Sequence, residues 1–227
     1  MRLATWNVNS VKARLPRLLG WLAEAKPDVV GLQETKCAAA AFPSAEVQEL
    51  GYEVAVHGDG RWNGVAILSR VGLADVALGF PGEPGYREEP AAPALVEVAP
   101  TPEARAIGAT CGGVRFWSLY APNGRTPDSA HYAYKLEWFA ALRDALAAEL
   151  PSHDALMACG DYNVAPTDAD VWDPAVFTNS THVTPPERAA LAALRDLGLA
   201  DVVPTPMKGP NPFTYWDYKV PSCAFSG

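Results

Sequence analysis

Positive charge is in short supply in this chain. Eighteen Lys and Arg residues face 26 Asp and Glu, for a formal net charge of −8 and a pI near 5.0. The whole molecule is therefore no electrostatic magnet for nucleic acid, and contact with DNA would have to run through a local basic rim. Cysteine is sparse as well. Cys37, Cys111, Cys159 and Cys223 are widely scattered, with no C-x-x-C pair and no zinc spacing. Cys111 and Cys159 fall in expected strands and read as small core residues. His57, His131, His153 and His182 are isolated, none in a Ser-Asp-His context, so surface or capping roles are the default for each. No apolar stretch reaches spanning length, and residues 2–7 are too short and too soon polar for a signal peptide. A soluble, cytoplasmic protein is expected. Neither a short-period repeat nor a low-complexity linker divides the sequence.

What is present is material for a core. Hydrophobic residues make up 49% of the 227 residues and aromatics 10%, enough for one large ordered domain. A strand is predicted over residues 3–6, then an amphipathic helix over 15–25 with Leu15, Leu18, Leu19 and Leu22 on one face. Lys26-Pro27-Asp28 stops that helix before a strand over 29–33. A short helix follows over 44–50, with Ser44 as its N-cap. Strands are then expected over 52–56, 65–69, 73–78, 94–98, 106–110 and 114–120, the last two joined by a hairpin at Gly112-Gly113. Ser129 caps a long helix to about residue 150, its buried stripe formed by Tyr132, Leu136, Phe139, Leu146 and Leu150. A strand over 155–159 and a helix over 186–197, with proline in its first turn, complete the pattern. Residues 82–89 and 204–213 are Pro- and Gly-rich surface loops. The mixture of βα units and hairpins predicts a single α/β domain with mixed or antiparallel pairing.

Three apolar runs end in polar residues at equivalent places. Leu3-Ala4-Thr5-Trp6 leads to Asn7, Val29-Val30-Gly31-Leu32-Gln33 to Glu34, and Ala155-Leu156-Met157-Ala158-Cys159 to Gly160-Asp161-Tyr162-Asn163. Open α/β sheets bind ligands outside the carboxyl ends of their strands. Asn7, Glu34, Asp161 and Asn163 would meet there as an all-oxygen set suited to Mg²⁺. A carboxylate at the end of a buried strand is costly to desolvate unless it is paired or binds a cation. Each residue also has a plain structural account: Glu34 paired with Lys36, Asp161 and Asn163 in an Asx-type turn, Asn7 in a turn. The coincidence of all three runs favours a shared site.

These segments resemble the ordered motifs of the exonuclease III and AP endonuclease family, part of the endonuclease/exonuclease/phosphatase superfamily. The resemblance is carried by Thr5-Trp6-Asn7-Val8-Asn9, Gln33-Glu34-Thr35-Lys36, Asn63-Gly64-Val65-Ala66, Tyr120-Ala121-Pro122-Asn123-Gly124, Gly160-Asp161-Tyr162-Asn163-Val164-Ala165-Pro166-Thr167 and Phe213-Thr214-Tyr215-Trp216-Asp217-Tyr218. It implies a DNase I-like sandwich of two mixed β-sheets flanked by helices. It also implies a Mg²⁺-dependent phosphodiesterase (Mn²⁺ as substitute) acting as a monomer on duplex DNA, at 3′ ends and abasic sites. Glu34 would be the main metal ligand, with Asn7 and Asp161 completing or supporting the site. Asp161 would handle a proton, and Asn163 would join the metal site, bind the scissile phosphate or orient its neighbours. Tyr120 would hydrogen-bond the phosphate, or else simply pack beside Pro122, and Asn123 would sit against the DNA. Lys12, Arg14 and Arg17 suit phosphate contacts or a solvated helix face. Arg61, Trp62 and Trp216 suit groove or abasic-site contacts, with core packing the other reading of Trp216.

The resemblance stops near Lys219. Family members continue with an Arg-Ile-Asp strand and a Ser-Asp-His motif, whereas residues 220–227 match neither. The expectation is an incomplete domain over 1–219, lacking its C-terminal strands, with a divergent tail over 220–227 and impaired activity. A phosphatase or phosphodiesterase acting on a small or lipid phosphate is the alternative within the superfamily. A non-catalytic remnant is the alternative outside it.

Overall fold

Every residue of the run Val29–Gln33 is buried, as an apolar segment without polar alternation requires of a strand covered on both faces. In the computed structural model, which describes residues 1–60, 62–86, 100–202 and 214, this strand is β2. Arg61, Trp216, the strand expected over 94–98, the loop over 204–213 and the tail over 220–227 lie outside the described residues.

Two four-stranded sheets follow from the pattern. The first contains β1 (Leu3–Asn7), β2, β3 (Glu53–His57) and β4 (Val65–Ser69) in the order β1-β2-β4-β3. There β1 and β2 are parallel, and the other pairs antiparallel. The second runs β5-β6-β7-β8, with β5 (Ala74–Leu78), β6 (Ala106–Cys111), β7 (Val114–Tyr120) and β8 (Leu156–Asp161). Its β7/β8 pair is parallel and the rest antiparallel. Both sheets are mixed, as the resemblance implied. Val29, Val65 and Ile67 of the first sheet share a core with Ile107, Phe116 and Cys159 of the second. This is sheet-on-sheet packing by alternate residues.

Helices cover the outer faces. Leu18 and Leu22 of α1 (Val11–Ala25) pack on the first sheet with Leu32 and Leu68. Helix α1 begins four residues before the expected start. Val11 is fully buried, its N–H bonds Thr35 O at 3.1 Å, and Ser10 Oγ accepts from Ala13 N, so the extra turn forms although Pro16 removes one helical donor. Helix α2 (Ser44–Gln48) corrects a second expectation: Ser44 is its first residue, and Pro43 occupies the cap position without a side-chain bond. Helix α3 (Ala130–Glu149) is capped by Ser129 as expected, with Tyr132 N donating to Ser129 Oγ at 3.1 Å. Its stripe is shifted: Tyr132, Phe139 and Leu146 are buried, but Lys135, Trp138 and Leu142 replace Leu136 and Leu150. Glu149 near its end accepts from Trp117 Nε1 and Arg115 Nε, each at 2.6 Å, tying the helix to β7. Helix α4 spans Pro185–Arg195. Strand β8 continues past the expected end at residue 159, because pairing with β7 persists to Tyr120↔Asp161.

Contacts gather the chain into two compact units. One comprises Met1–Pro122 and Glu137–Tyr162 and holds both sheets; the other comprises Asn123–Leu136 and Asn163–Gly227.

Within the first unit, Glu83 is 9% exposed. Its Oε1 accepts from Trp138 Nε1 at 2.9 Å, while Oε2 has no hydrogen-bond partner among the described residues. Burial pushes its carboxyl up to about 7, outweighing the hydrogen bonds and the nearby Arg105. A group whose folded-state value is raised stabilises the protein below its unfolded value, near 4.5, and that stability is lost as pH rises to about 7. The loss amounts to at most about 3 kcal/mol. We expect Glu83→Gln and the parent to melt alike at pH 4.5 and the variant to melt higher at pH 8; parallel melting curves across that range would contradict the assignment.

Candidate active site

The parallel pairs β1/β2 and β7/β8 present four carboxyl ends, and the polar residues there belong to the first unit. Asn7 closes β1, Glu34 follows β2, Tyr120 closes β7 and Asp161 closes β8. The Asn7 amide joins two of them: Nδ2 donates to Glu34 Oε1 and to Asp161 Oδ2, both at 2.8 Å. Its Oδ1 accepts from Asn9 N at 3.0 Å, which fixes the orientation of the amide. Two carboxylates from different sheets are thus held on one side-chain nitrogen.

The surrounding backbone is bent to allow this. Glu34 and Lys36 have φ of 53° and 51°, and Asn9 and Ser10 of 42° and 88°. Such a cluster of left-handed non-glycine residues is strain held by its surroundings. The loops interlock through Val8 N–Gln33 O, Ser10 N–Glu34 O and Lys36 N–Asn63 O bonds of 3.0, 2.7 and 3.0 Å. Lys36 Nζ pairs with Glu34 Oε2 at 2.8 Å and also bonds Asn9 Oδ1. The ion pair considered as a plain account of Glu34 therefore exists, and it sits alongside the Asn7 bridge.

Tyr120 completes the group. Burial raises its phenol well above the usual tyrosine range; the Glu34 and Asp161 charges act in the same direction, and Arg105 opposes them. The phenol is therefore protonated, a potential donor beside the Glu34 carboxylate. The Arg105 guanidinium lies 5.0 Å from the Tyr120 ring centroid and pairs with Glu103 at 2.8 Å. Glu103 in turn accepts from Asn63 Nδ2 at 2.8 Å. Sequence reading passed over Arg105 and Glu103, which lie in a stretch without periodic signal.

Asn123 and Asn163 belong to the second unit and meet there, Asn123 Nδ2 donating to Asn163 Oδ1 at 3.4 Å. His182 was expected at the surface, yet it is only 6% exposed. It packs against both: Nδ1 lies 2.6 Å from Asn163 O and Nε2 3.4 Å from Asn123 Nδ2. His131, also buried, accepts from Gly124 N at 3.1 Å. A sequence signal did exist nearby, since Thr184-Pro-Pro-Glu187 is a capping box, and the structure forms it. Of the DNA-contact candidates, Lys12 and Arg17 are exposed and Arg14 half-buried on α1, and Trp62 is 72% exposed.

Two mixed sheets with paired carboxylates at the strand ends define a hydrolase of the DNase I-like α/β class. The chain belongs to the endonuclease/exonuclease/phosphatase family, whose model matches residues 4–224, and within it to the exonuclease III and AP endonuclease group. It is similar to exodeoxyribonuclease III of Haemophilus influenzae, with 28% identity over 96% of this chain and 81% of that one. A 3′-5′ exonuclease from Neisseria meningitidis superposes with a TM-score of 0.84 at 36% identity, covering 99% of this chain and 81% of its own. An AP endonuclease from Archaeoglobus fulgidus gives 0.84 at 33% identity over the same shares. The DNA repair nuclease APEX1 of Danio rerio is similar at 26% identity over 88% of this chain and 61% of that one, and this chain is an exodeoxyribonuclease III-like hydrolase by family.

Gly160 decides whether Asp161 reaches Asn7. Its φ is +146°, and a Cβ there would lie 1.9 Å from Leu119 O on the paired strand. We expect Gly160→Ala to force β7 and β8 apart at this end and to lower stability by about 3 kcal/mol. An unchanged urea midpoint would contradict that reading.

Proposed function

We propose that the chain is a Mg²⁺-dependent DNA phosphodiesterase, removing nucleotides from 3′ ends of duplex DNA and cleaving beside abasic sites. The observation that carries this is the single Asn7 amide holding the Glu34 and Asp161 carboxylates together. Among the described residues no group of three or more His, Cys, Asp and Glu side chains is gathered for a metal. Glu34 and Asp161 bring two carboxylates together, an oxygen set that leaves positions to water and phosphate, which is the chemistry Mg²⁺ takes. Glu34 and Asp161 would hold the ion, and Asn7 would orient them. When bound, the ion screens phosphate charge and stabilises the leaving oxygen.

The chain's own groups do the rest. The protonated Tyr120 phenol donates a hydrogen bond to a non-bridging phosphate oxygen. Asp161 takes a proton from the attacking water or gives one to the leaving 3′-oxygen. Asn163 offers its amide N–H to the scissile phosphate, aligning it for in-line attack, and Asn123 holds the Asn163 amide from its oxygen side while lying against the DNA. Lys12 and Arg14 on α1 make backbone contacts, and Trp62 supplies an aromatic face for the groove or the abasic gap. Arg61 and Trp216 belong to the same proposed DNA-contacting set. The protein would act as a cytoplasmic monomer.

The test is purified protein with Mg²⁺ on a duplex carrying one abasic site, beside a panel of small phosphate esters. We expect cleavage of the duplex, with Glu34→Gln lowering it by about 100-fold or more and weakening Mg²⁺ binding in a calorimetric titration. Hydrolysis of small esters alone, or a Mg²⁺ isotherm unmoved by Glu34→Gln, would overturn the proposal.

A further inference from the structure

Lys135 is fully buried on α3, and its ammonium pairs with the equally buried Glu187 at the start of α4. The same ammonium donates to Asn163 O at 2.7 Å, Asn123 O at 3.2 Å and Thr181 Oγ1 at 3.4 Å. Glu187 is as fully engaged, accepting from Thr181 Oγ1 at 2.6 Å, His182 N at 2.9 Å, and Thr184 N and Oγ1 at 3.1 and 2.6 Å. Burial alone would raise the Glu187 carboxyl, but Lys135 and these hydroxyls outweigh it and hold the carboxyl below its ordinary range. A buried ion pair of this kind is a weak source of stability, since apolar replacements are often as stable. Its contacts suggest another purpose, because two of them are the main-chain carbonyls of Asn123 and Asn163. Space for the lysine stem comes from Gly124, where a Cβ would meet Thr181 Oγ1 at 2.5 Å and Lys135 Cδ at 3.1 Å.

His182 adds a second donor to the Asn163 carbonyl and sets the Asn123 side chain, which in turn meets the Asn163 amide. A carbonyl can only accept, so Nδ1 carries the proton given to Asn163 O, and Nε2 receives the Asn123 amide. Asn123 Oδ1 accepts from Arg125 N at 3.1 Å, which directs its Nδ2 towards Asn163 Oδ1 and His182. We propose that Lys135, Glu187 and His182 are positioning residues that set the backbone and amide orientation of Asn123 and Asn163. This rests on the reading that Asn163 binds the scissile phosphate, with Asn123 holding its amide.

The test compares the parent with Lys135→Met/Glu187→Gln, which removes both buried charges together, and with His182→Asn. Asparagine keeps an amide N–H for Asn163 O, loses the acceptor facing Asn123, and suits the φ of 81° at this position. Two quantities are read: the side-chain amide resonances of Asn123 and Asn163, and kcat and KM on duplex DNA with a recessed 3′ end. We expect both variants to shift those resonances and to lose about 10–100-fold in kcat with KM little changed. Unmoved resonances, or a folded variant with the parent's kcat, would overturn the inference. If the double variant does not fold, His182→Asn decides. A parent protein that cleaves no DNA would refute the functional reading instead, and the resonances alone would then judge the positioning.

Discussion

One amide nitrogen joins the two sheets where the chemistry would lie. Asn7 Nδ2 spends both hydrogens on carboxylates, Glu34 from the first sheet and Asp161 from the second. Two carboxylates facing one another repel, and the amide relieves this by giving each a donor without adding charge. Lys36 supplies countercharge on the far oxygen of Glu34. The result is a half-buried, hydrogen-bonded pair of carboxylates at the strand ends.

That centre constrains the chain around it. Parallel pairing brings the carboxyl ends of β1 and β2, and of β7 and β8, to the same edge. Glu34 turns back to Asn7 in a left-handed conformation, and the loop of residues 8–11 interlocks with residues 33–35 through main-chain hydrogen bonds. The strain is local and the support distributed, as expected where geometry serves chemistry more than stability. The buried Lys135–Glu187 pair shows the same logic in the second unit, where charge is buried against loop carbonyls.

Much of this was legible in the sequence because apolar runs, turn residues and strand ends are local signals. The strands over 29–33, 65–69 and 114–120 were read to the residue, and the convergence of Asn7, Glu34 and Asp161 followed from their places at strand ends. What escaped was burial of polar groups, which depends on partners distant in the chain. Lys135 reads as a surface lysine although it lies on the row His131, Lys135, Trp138, Leu142 that faces inward. His182 lies in no motif, and its role exists only because Asn123 and Asn163 meet it. The early start of α1 escaped because Pro16 mimics a first-turn proline while Val11 anchors an extra turn.

The central claim is that Glu34 and Asp161 act as one unit through Asn7. A double-mutant cycle on kcat/KM for duplex cleavage, with Glu34→Gln, Asp161→Asn and the two combined, measures that directly. Groups that act together are grossly non-additive, so the double variant should be about as active as the weaker single one. Losses that multiply, with the double variant carrying the full product of the two, would show two independent carboxylates and contradict the account.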